Sequence, residues 1–542
     1  METKPVPSHP SLEQYRKQAK DLVKAHNSAA PDAMERIRTF HPAFAKSSPQ
    51  EVSPRRFQLS GAQLVIAREH GFEGWAKFKA YIEALTFKRK ALLANDPSAV
   101  FLEAACIPMG GWHSSGTLEA AQARLGQRPE IAQANIYVAA ALGDDLGVRR
   151  FLSADPKLAT LKGGPHEWDA LTYLCFSRYL RLDRSRSDGF VRAAEVLLDA
   201  GASANTGWYE ANDEPRPFWE GAIYGAAGIA RHVRLTRLLL DRGADPNDGE
   251  TPYHVPESYD NAVMEVMVES GKFNDESMTT LLLRKADWHD YEGIRYLLER
   301  GVDPNRMTQW RHSPFQHALR RDNWIKSIRL MLEHGADPSR VNAQTVRSGT
   351  MMAARRGRGD VLREIELRGL AVHLEGVDRL IAACARADAA EVQLLFETDR
   401  ALVEELIAQG GTVLAEFAGN GNTDGVRLLL DLGVEVDALY KEGDGYFEIA
   451  KESTALHVAA WRAQHETLRL LLARGARVNA LDAGGRTPLA LAIRVCVDSH
   501  WKDRRTPESI AALLKAGASL EGIEIPTGYA EADALLLARY RE

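Results

Sequence analysis

The side chains best suited to moving protons gather in one stretch of the 542-residue chain. Tyr253, His254, Glu257, Tyr259 and Asp260 are followed by Arg284, Lys285, Asp287, His289 and Asp290. Histidine changes charge near neutral pH and a neighbouring carboxylate can orient it, so such a mixture suits general acid–base catalysis or capture of a small polar ligand. His254, Asp287, His289 and Asp290 are the residues such a site would use. The competing reading of His289, one histidine between two aspartates, is a solvated helix end. The sequence has no His-Glu-x-x-His, no Gly-x-Ser-x-Gly, no phosphate-cradling Gly-x-x-x-x-Gly-Lys and no dinucleotide fingerprint.

A second chemistry is written in charge. The chain carries a net −6, but Arg306 to Arg363 holds twelve Lys or Arg against Asp322, Glu333, Asp337 and Asp360, a local +8 that leaves −14 elsewhere. Arginine's planar fork suits carboxylates and phosphates, so this stretch could steer an anionic partner. The alternative is that these arginines pair with acidic residues of the same chain. Acidic overall charge and a pI near 6.3 argue against a chain built to coat nucleic acid.

Composition sets further bounds. The apolar fraction of 45% is ordinary for a water-exposed chain, and no apolar run reaches the length of a membrane span. The N-terminal METKPVPSHPSLEQYRKQAK is polar with no signal-peptide core, from which cytoplasmic residence is expected. Cys106, Cys175, Cys384 and Cys496 lie far apart without a Cys-x-x-Cys pair, which disfavours a disulfide framework or zinc site and favours small buried hydrophobes. No metal and no cofactor is expected.

The elements that must position these residues are helices. Leu12, Tyr15, Ala19, Leu22 and Val23 share a helical face. After a Ser/Pro-rich loop near Ser47 to Pro54, Ser60 and Gln63 have capping-box spacing, Gly71 ends a helix, and Trp75, Phe78, Ile82 and Leu85 form another apolar stripe. This predicts a small helical domain over 1–88, then a bridging segment over 89–134 whose loop Met109 to Ser115 carries Trp112 and His113.

From Asn135 the pattern repeats. Ser453 to Ile493 shows the unit most fully: Thr454 at a helix start, Leu456, Ala459 and Ala460 on its apolar side, Leu468, Leu471 and Leu472 on a second helix, then Gly475. Asp482, Gly485, Thr487 and Pro488 begin the next unit. Closing glycines follow at Gly201, Gly243, Gly271, Gly301, Gly335, Gly369, Gly433, Gly475 and Gly517. The 64 residues from Gly369 to Gly433 imply a degenerate repeat around Leu380 to Phe396, and intervals of 42, as from Gly201 to Gly243, imply insertions. The insertion after Gly475 contains CVDSHWKDRRTPES. Insertions in repeat proteins extend loops on one face, often the binding face.

These units resemble the ankyrin repeat, whose period is about 33 residues. The likeness is strongest at GETPYH (Gly249 to His254), STALH (Ser453 to His457), DAGGRTPLALA (Asp482 to Ala492), GADPN (Gly243 to Asn247) and GVDPN (Gly301 to Asn305). It implies an all-α ankyrin-repeat solenoid of about eleven repeats over 135–525, closed by a capping helix within 526–542. The layout, with SRYLRLDRSRSDGF and LLRKADWHDYEG, is also similar to long bacterial ankyrin proteins with an N-terminal helical segment. His254 and His457 share one place in the repeat, where the family uses histidine to hold the turn.

The resemblance also implies where a partner would touch: the turn tips and the two residues before the glycine ending each first helix. Repeat by repeat these are Ile229 and Ala230, Asp287 and Trp288, Arg320 and Arg321, Arg355 and Arg356, Gly419 and Asn420, and Trp461 and Arg462. With Trp310 in a turn, the expected binding set is Asp287, Trp288, Trp310, Arg320, Arg321, Arg355, Arg356, Trp461 and Arg462, with Trp310 and Trp461 exposed. The reading is a non-enzymatic, monomeric protein-interaction scaffold whose concave Arg/Trp groove takes a protein with an acidic surface, with neither nucleic acid nor membrane as partner. The alternative is a groove enzyme or small-ligand binder built on Tyr253 to His289.

Overall fold

A computed structural model describes residues 3–540 except 8, 46, 49–51, 53–56, 110–111, 211–216, 343–344 and 500–504. Parts of the loops Ser47–Pro54 and Met109–Ser115, and of the insertion at CVDSHWKDRRTPES, lie outside the described residues. The chain divides into two compact units, Met1–Trp288 and His289–Glu542.

The first unit opens with four helices, Leu12–Asn27, Pro31–Phe40, Leu59–Glu69 and Trp75–Asn95. Their apolar stripes meet in a core that includes Tyr15, Leu22, Met34, Ile37, Val65, Phe78 and Ile82. Burying each of these large side chains contributes roughly 1.5–3 kcal/mol. Glu69 sits under this core, held by Arg36 at 2.7 Å and by Lys4 at 2.9 Å. The expected capping box at Ser60 is corrected: the helix begins at Leu59 with no side-chain cap, which places Ser60 in its first turn. The helix Trp75–Asn95 runs without a break through residue 88.

Helix pairs follow: Ile136–Ala141 with Asp145–Ala154, Ala170–Cys175 with Ser187–Asp199, a short helical segment from Ala222 with Val233–Asp241, and Glu250–His254 with Ala262–Glu269. The insertion between Gly201 and Gly243 is an antiparallel hairpin, Gly207–Glu210 paired with Phe218–Gly221. Trp208, Tyr209, Phe218 and Trp219 are residues that favour a pleated surface, and this explains a strand pair inside an otherwise helical array. All four cysteines are buried and unpaired.

In the second unit the pairs are regular: Pro314–Arg320 with Ile325–Glu333, Gly349–Arg355 with Gly359–Leu367, Gly410–Gly419 with Thr423–Asp431, Ala455–Trp461 with His465–Ala473, and Pro488–Val497 with Glu508–Lys515. The degenerate repeat is present as Gly376–Arg386 and Ala389–Thr398, turning at Ala387 in the left-handed region. Gly475 closes its repeat at φ +87°, a conformation that disfavours any side chain. Thr454 and His457 form a reciprocal cap, and His457 Nε2 reaches the carbonyls of Ala480 and Arg486 at 3.0 and 3.1 Å. The helix Ala530–Tyr540 packs Ala532 and Leu536 inward at the end of the unit.

The asparagine of the GADPN-type turns stitches one repeat to the next. Asn305 Nδ2 donates to the Gly335 carbonyl at 2.8 Å and its Oδ1 accepts from the Asp337 amide at 2.8 Å. Asn479 does the same with Gly517 and Ser519 in the second unit, as Asn247 does with Lys272 and Asn274 in the first. Each asparagine satisfies both a carbonyl and an amide left over at a turn. The fold is an ankyrin-repeat solenoid.

Candidate ligand pocket

The hairpin insertion, the loop carrying Trp112 and His113, and the GETPYH helix together enclose a cavity of about 460 Å³ in the first unit. Glu210, Glu250 and Glu257 line it beside His113, His254, Tyr224 and Arg231, and Trp112, Phe218 and Trp288 supply aromatic walls. Trp112 is 72% exposed. His113 is fixed from both sides, Nδ1 3.1 Å from the Tyr224 hydroxyl and Nε2 3.0 Å from Glu210 Oε1.

Behind His113, at 4.0 Å from its Nδ1, stands Glu220. This carboxyl is 1% exposed, and neither of its oxygens has a hydrogen-bond partner among the described residues. Burial, reinforced by the carboxylates of Glu250, Glu210 and Asp248, pushes it up to about 9, so it is protonated at neutral pH. Burial likewise raises Asp248, to about 7. His254 answers the same field in the opposite sense. Burial disfavours its charge, but Nε2 lies 3.2 Å from Glu250 and Nδ1 3.1 Å from Glu257, and these carboxylates raise it to about 9. The cavity therefore holds an imidazolium and several carboxylates between aromatic side chains, with a neutral carboxylic acid buried behind His113.

Of the residues singled out for acid–base chemistry, His254 and Glu257 line this cavity. The other residues of the expected constellation, Asp287, His289 and Asp290, are placed as follows. Asp287 pairs with Arg284, whose guanidinium also reaches Glu257 and lies 4.0 Å from the centre of the Tyr253 ring. His289 sits in the left-handed region at φ +50°, and Asp290 Oδ1 caps the following helix by accepting from the Gly293 amide at 3.0 Å. His254 also departs from the turn-holding role that its place in the repeat implies: its ring nitrogens face Glu250 and Glu257, whereas those of His457 face the cap and the turn.

Several arginines of the expected groove are met by carboxylates of the chain itself. In the second unit Arg356 grips Asp322 with two parallel bonds of 2.6 Å, Arg462 reaches the same carboxylate at 2.7 Å, and Asn420 Nδ2 donates to it at 3.1 Å. Glu416 closes the cluster, 3.2 Å from Arg356 and accepting from the Tyr440 hydroxyl at 3.0 Å. Burial alone would raise Asp322, but Arg356 and Arg462 outweigh it and hold the carboxyl far below the usual range. Arg355 is paired with Asp378 at 2.5 Å and with Gln409 at 2.7 Å. Trp461, expected to be exposed, is 4% exposed, and its indole N–H donates to the Phe447 carbonyl at 2.6 Å; Arg462 is also 4% exposed.

Arg320, Arg321 and Trp310 remain at the surface. Arg320 is exposed and donates to His312 Nε2 at 2.9 Å, Arg321 lies 3.3 Å from the centre of the Tyr446 ring, and Trp310 is 38% exposed. Burial, together with Arg320, pushes His312 down to about 4, so it is the neutral acceptor in that contact. Trp288 lines the cavity and meets Tyr259 edge-on at 5.7 Å.

Sequence reasoning missed Glu210, Glu220 and Glu250 as site residues and treated Trp112 and His113 only as part of a bridging loop. One signal was available: the 42-residue interval from Gly201 to Gly243 marked an insertion, and that insertion carries Glu210, Phe218 and Glu220.

A family model described as ankyrin repeats (3 copies) matches residues 380–482. Among curated proteins the chain is similar to serine/threonine-protein kinase 12 of Arabidopsis thaliana, 39% identical over 84 residues, 16% of either chain. It is also similar to the E3 ubiquitin-protein ligase KEG of the same plant, 29% identical over 23% of this chain and 7% of that one. Inversin of Danio rerio is 31% identical over 18% and 9%. The matched segments thus span less than a fifth of these relatives. Among solved structures, the human ASB11 ankyrin repeat domain is 23% identical, covering 44% of this chain and 98% of that one with a TM-score of 0.20. The ankyrin repeat domain of Bcl-3 is 20% identical, covering 43% and 97% with a TM-score of 0.19. Ankyrin repeats are in general protein–protein interaction modules.

Proposed function

We propose that the chain is a non-enzymatic protein-interaction scaffold that captures a basic side chain of its partner in the cavity of the Met1–Trp288 unit. The observation that carries this reading is the presence of Glu210, Glu250 and Glu257 together in the cavity lining, with Glu220 buried behind His113. A cation brought among these groups gains their field, and the rings of Trp112, Phe218 and Trp288 add cation–π attraction of about 0.5–2 kcal/mol. The recognised feature in this reading is basic, the reverse of the acidic surface that the arginine-rich stretch suggested. Arg355, Arg356 and Arg462 have carboxylates of their own. In the cavity, by contrast, Glu210, Glu250 and Glu257, although they contact His113, His254 and Arg284, outnumber the cationic Arg231 and His254 that line it with them. Arg320, Arg321 and Trp310 are proposed as a secondary contact surface.

The test is selection of a random peptide display library on the wild-type chain and on a Glu210→Gln, Glu250→Gln double variant. Enrichment of Lys or Arg on the wild type alone supports the reading. Enrichment of Asp or Glu, or identical selections on both proteins, contradicts it.

A second reading is favoured by cavity size, since about 460 Å³ falls within the range of small-molecule sites. In that case the same carboxylates and aromatic rings hold a free amine. Finer points of the account are proposals of the same kind: a monomer in a bacterial cytoplasm, without nucleic acid or membrane partners, with domain limits at 1–88, 89–134, 135–525 and 526–542. The bacterial setting is supported by the resemblance in layout, the curated relatives being from a plant and a fish. Among the described residues no helix is long and apolar enough to cross a membrane.

A further inference from the structure

Away from the cavity, three side chains from distant parts of the first unit converge. His9 precedes the first helix, Glu103 lies on the helix Pro97–Ala105, and His166 lies in the loop before Ala170–Cys175. Each offers a ligand atom within 4.8 Å of the other two. His9 Nε2 and His166 Nδ1 are 3.2 Å apart, and His166 Nδ1 is 3.8 Å from Glu103 Oε1. His166 is 1% exposed, and its Nε2 has no hydrogen-bond partner among the described residues.

We infer that His9, Glu103 and His166 form a binding site for a divalent transition-metal ion of the zinc class. Two imidazoles and a carboxylate are the ligand types such ions take, at about 2.0–2.2 Å from each donor. A tetrahedron of those bond lengths sets neighbouring donors about 3.3–3.6 Å apart, between the 3.2 and 3.8 Å observed. A small cavity of about 180 Å³ lined by His9, Arg89, Gly164 and Pro165 gives the ion and a water ligand a way in.

One group opposes the ion. Arg89 donates twice to Glu103 Oε1, at 3.0 and 2.6 Å, so a bound cation must share that carboxylate with a guanidinium. Arg89 therefore sets the affinity. The ion's structural effect is a clamp: it ties the segment ahead of Ser11 to the loop around His166 in a chain whose sequence spacing showed no metal motif. Ligands from positions 9, 103 and 166 have no spacing signature.

The experiment uses the full chain without an affinity tag, stripped by a chelator and titrated with Co²⁺ by absorption spectroscopy and with Zn²⁺ by calorimetry. One equivalent is expected, with a tetrahedral Co²⁺ spectrum. His9→Ala should weaken binding at least tenfold while the circular dichroism is unchanged, and His373→Ala, an exposed histidine elsewhere, should leave it as it is. Arg89→Gln should tighten binding, a gain that misfolding cannot imitate. Absence of a Co²⁺ spectrum in the wild type overturns the inference, as does equal affinity in His9→Ala.

Discussion

Asp322 and Arg462 stand 140 residues apart in sequence and 2.7 Å apart in space. Between them the cluster draws in Arg356, Glu416 and Asn420, so four repeats converge on one buried carboxylate. Removing one partner of such a network strands the rest. Arg356→Ala is expected to destabilise the chain by about 3–5 kcal/mol, whereas Arg320→Ala, exposed, should stay within about 0.5 kcal/mol. Urea unfolding of the two variants checks this. Equal small losses would mean that the buried network adds little.

The cavity makes stability depend on pH in a direction that can be worked out. Glu220 keeps its proton to about 9 when folded and to about 4.3 when unfolded, so the folded state binds more protons in between and stability falls as pH rises. His254, raised to about 9 from an unfolded value of about 6.5, acts with the same sign over the upper part of that window. Each group contributes a slope of up to about 1.4 kcal/mol per pH unit. Glu220→Gln mimics the protonated form, so its stability relative to wild type should improve steadily from pH 5 to pH 9 in thermal melts. A difference that does not change with pH would show that Glu220 is not held protonated.

The turn asparagines give a third expectation. Asn305→Ala removes one donor and one acceptor between consecutive repeats, and Asn479→Ala does the same further along. Each should cost about 1–2 kcal/mol, and the double variant should cost the sum because the sites are far apart in sequence and share no partner. Chemical denaturation of single and double variants measures both values. A strongly non-additive pair would show that the two clasps are coupled.

How much of this was legible in the sequence differs between framework and site. Gly475, Thr454 and the Thr487-Pro488 start act within a few residues of their own position, so spacing reveals them. The degenerate repeat at Gly376–Arg386 was found by counting between glycines, although Ala387 takes the left-handed turn in place of glycine. The fates of Arg356 and Trp461 were not readable, because Asp322 reaches Arg356 through the stacking of repeats and Phe447 reaches Trp461 from the insertion between Gly433 and Gly475, neither through local pattern. Asp322 was counted among the charges of its stretch, yet nothing in its surroundings says that two arginines from later repeats close on it. Glu220 was hidden for a related reason. It lies in an insertion, where the repeat period no longer tells which way a side chain points.

The central claim is that the cavity walled by Glu210, Glu250 and Glu257 takes a basic side chain, and citrulline separates charge from shape. An arginine-containing tetrapeptide and its citrulline counterpart, alike except for the charge, are titrated into the full chain while tryptophan fluorescence, to which Trp112 and Trp288 contribute, is followed. The account predicts that the arginine peptide binds at least tenfold more tightly and that Glu210→Gln with Glu250→Gln removes the difference. Equal affinity for the two peptides in the wild type would contradict it.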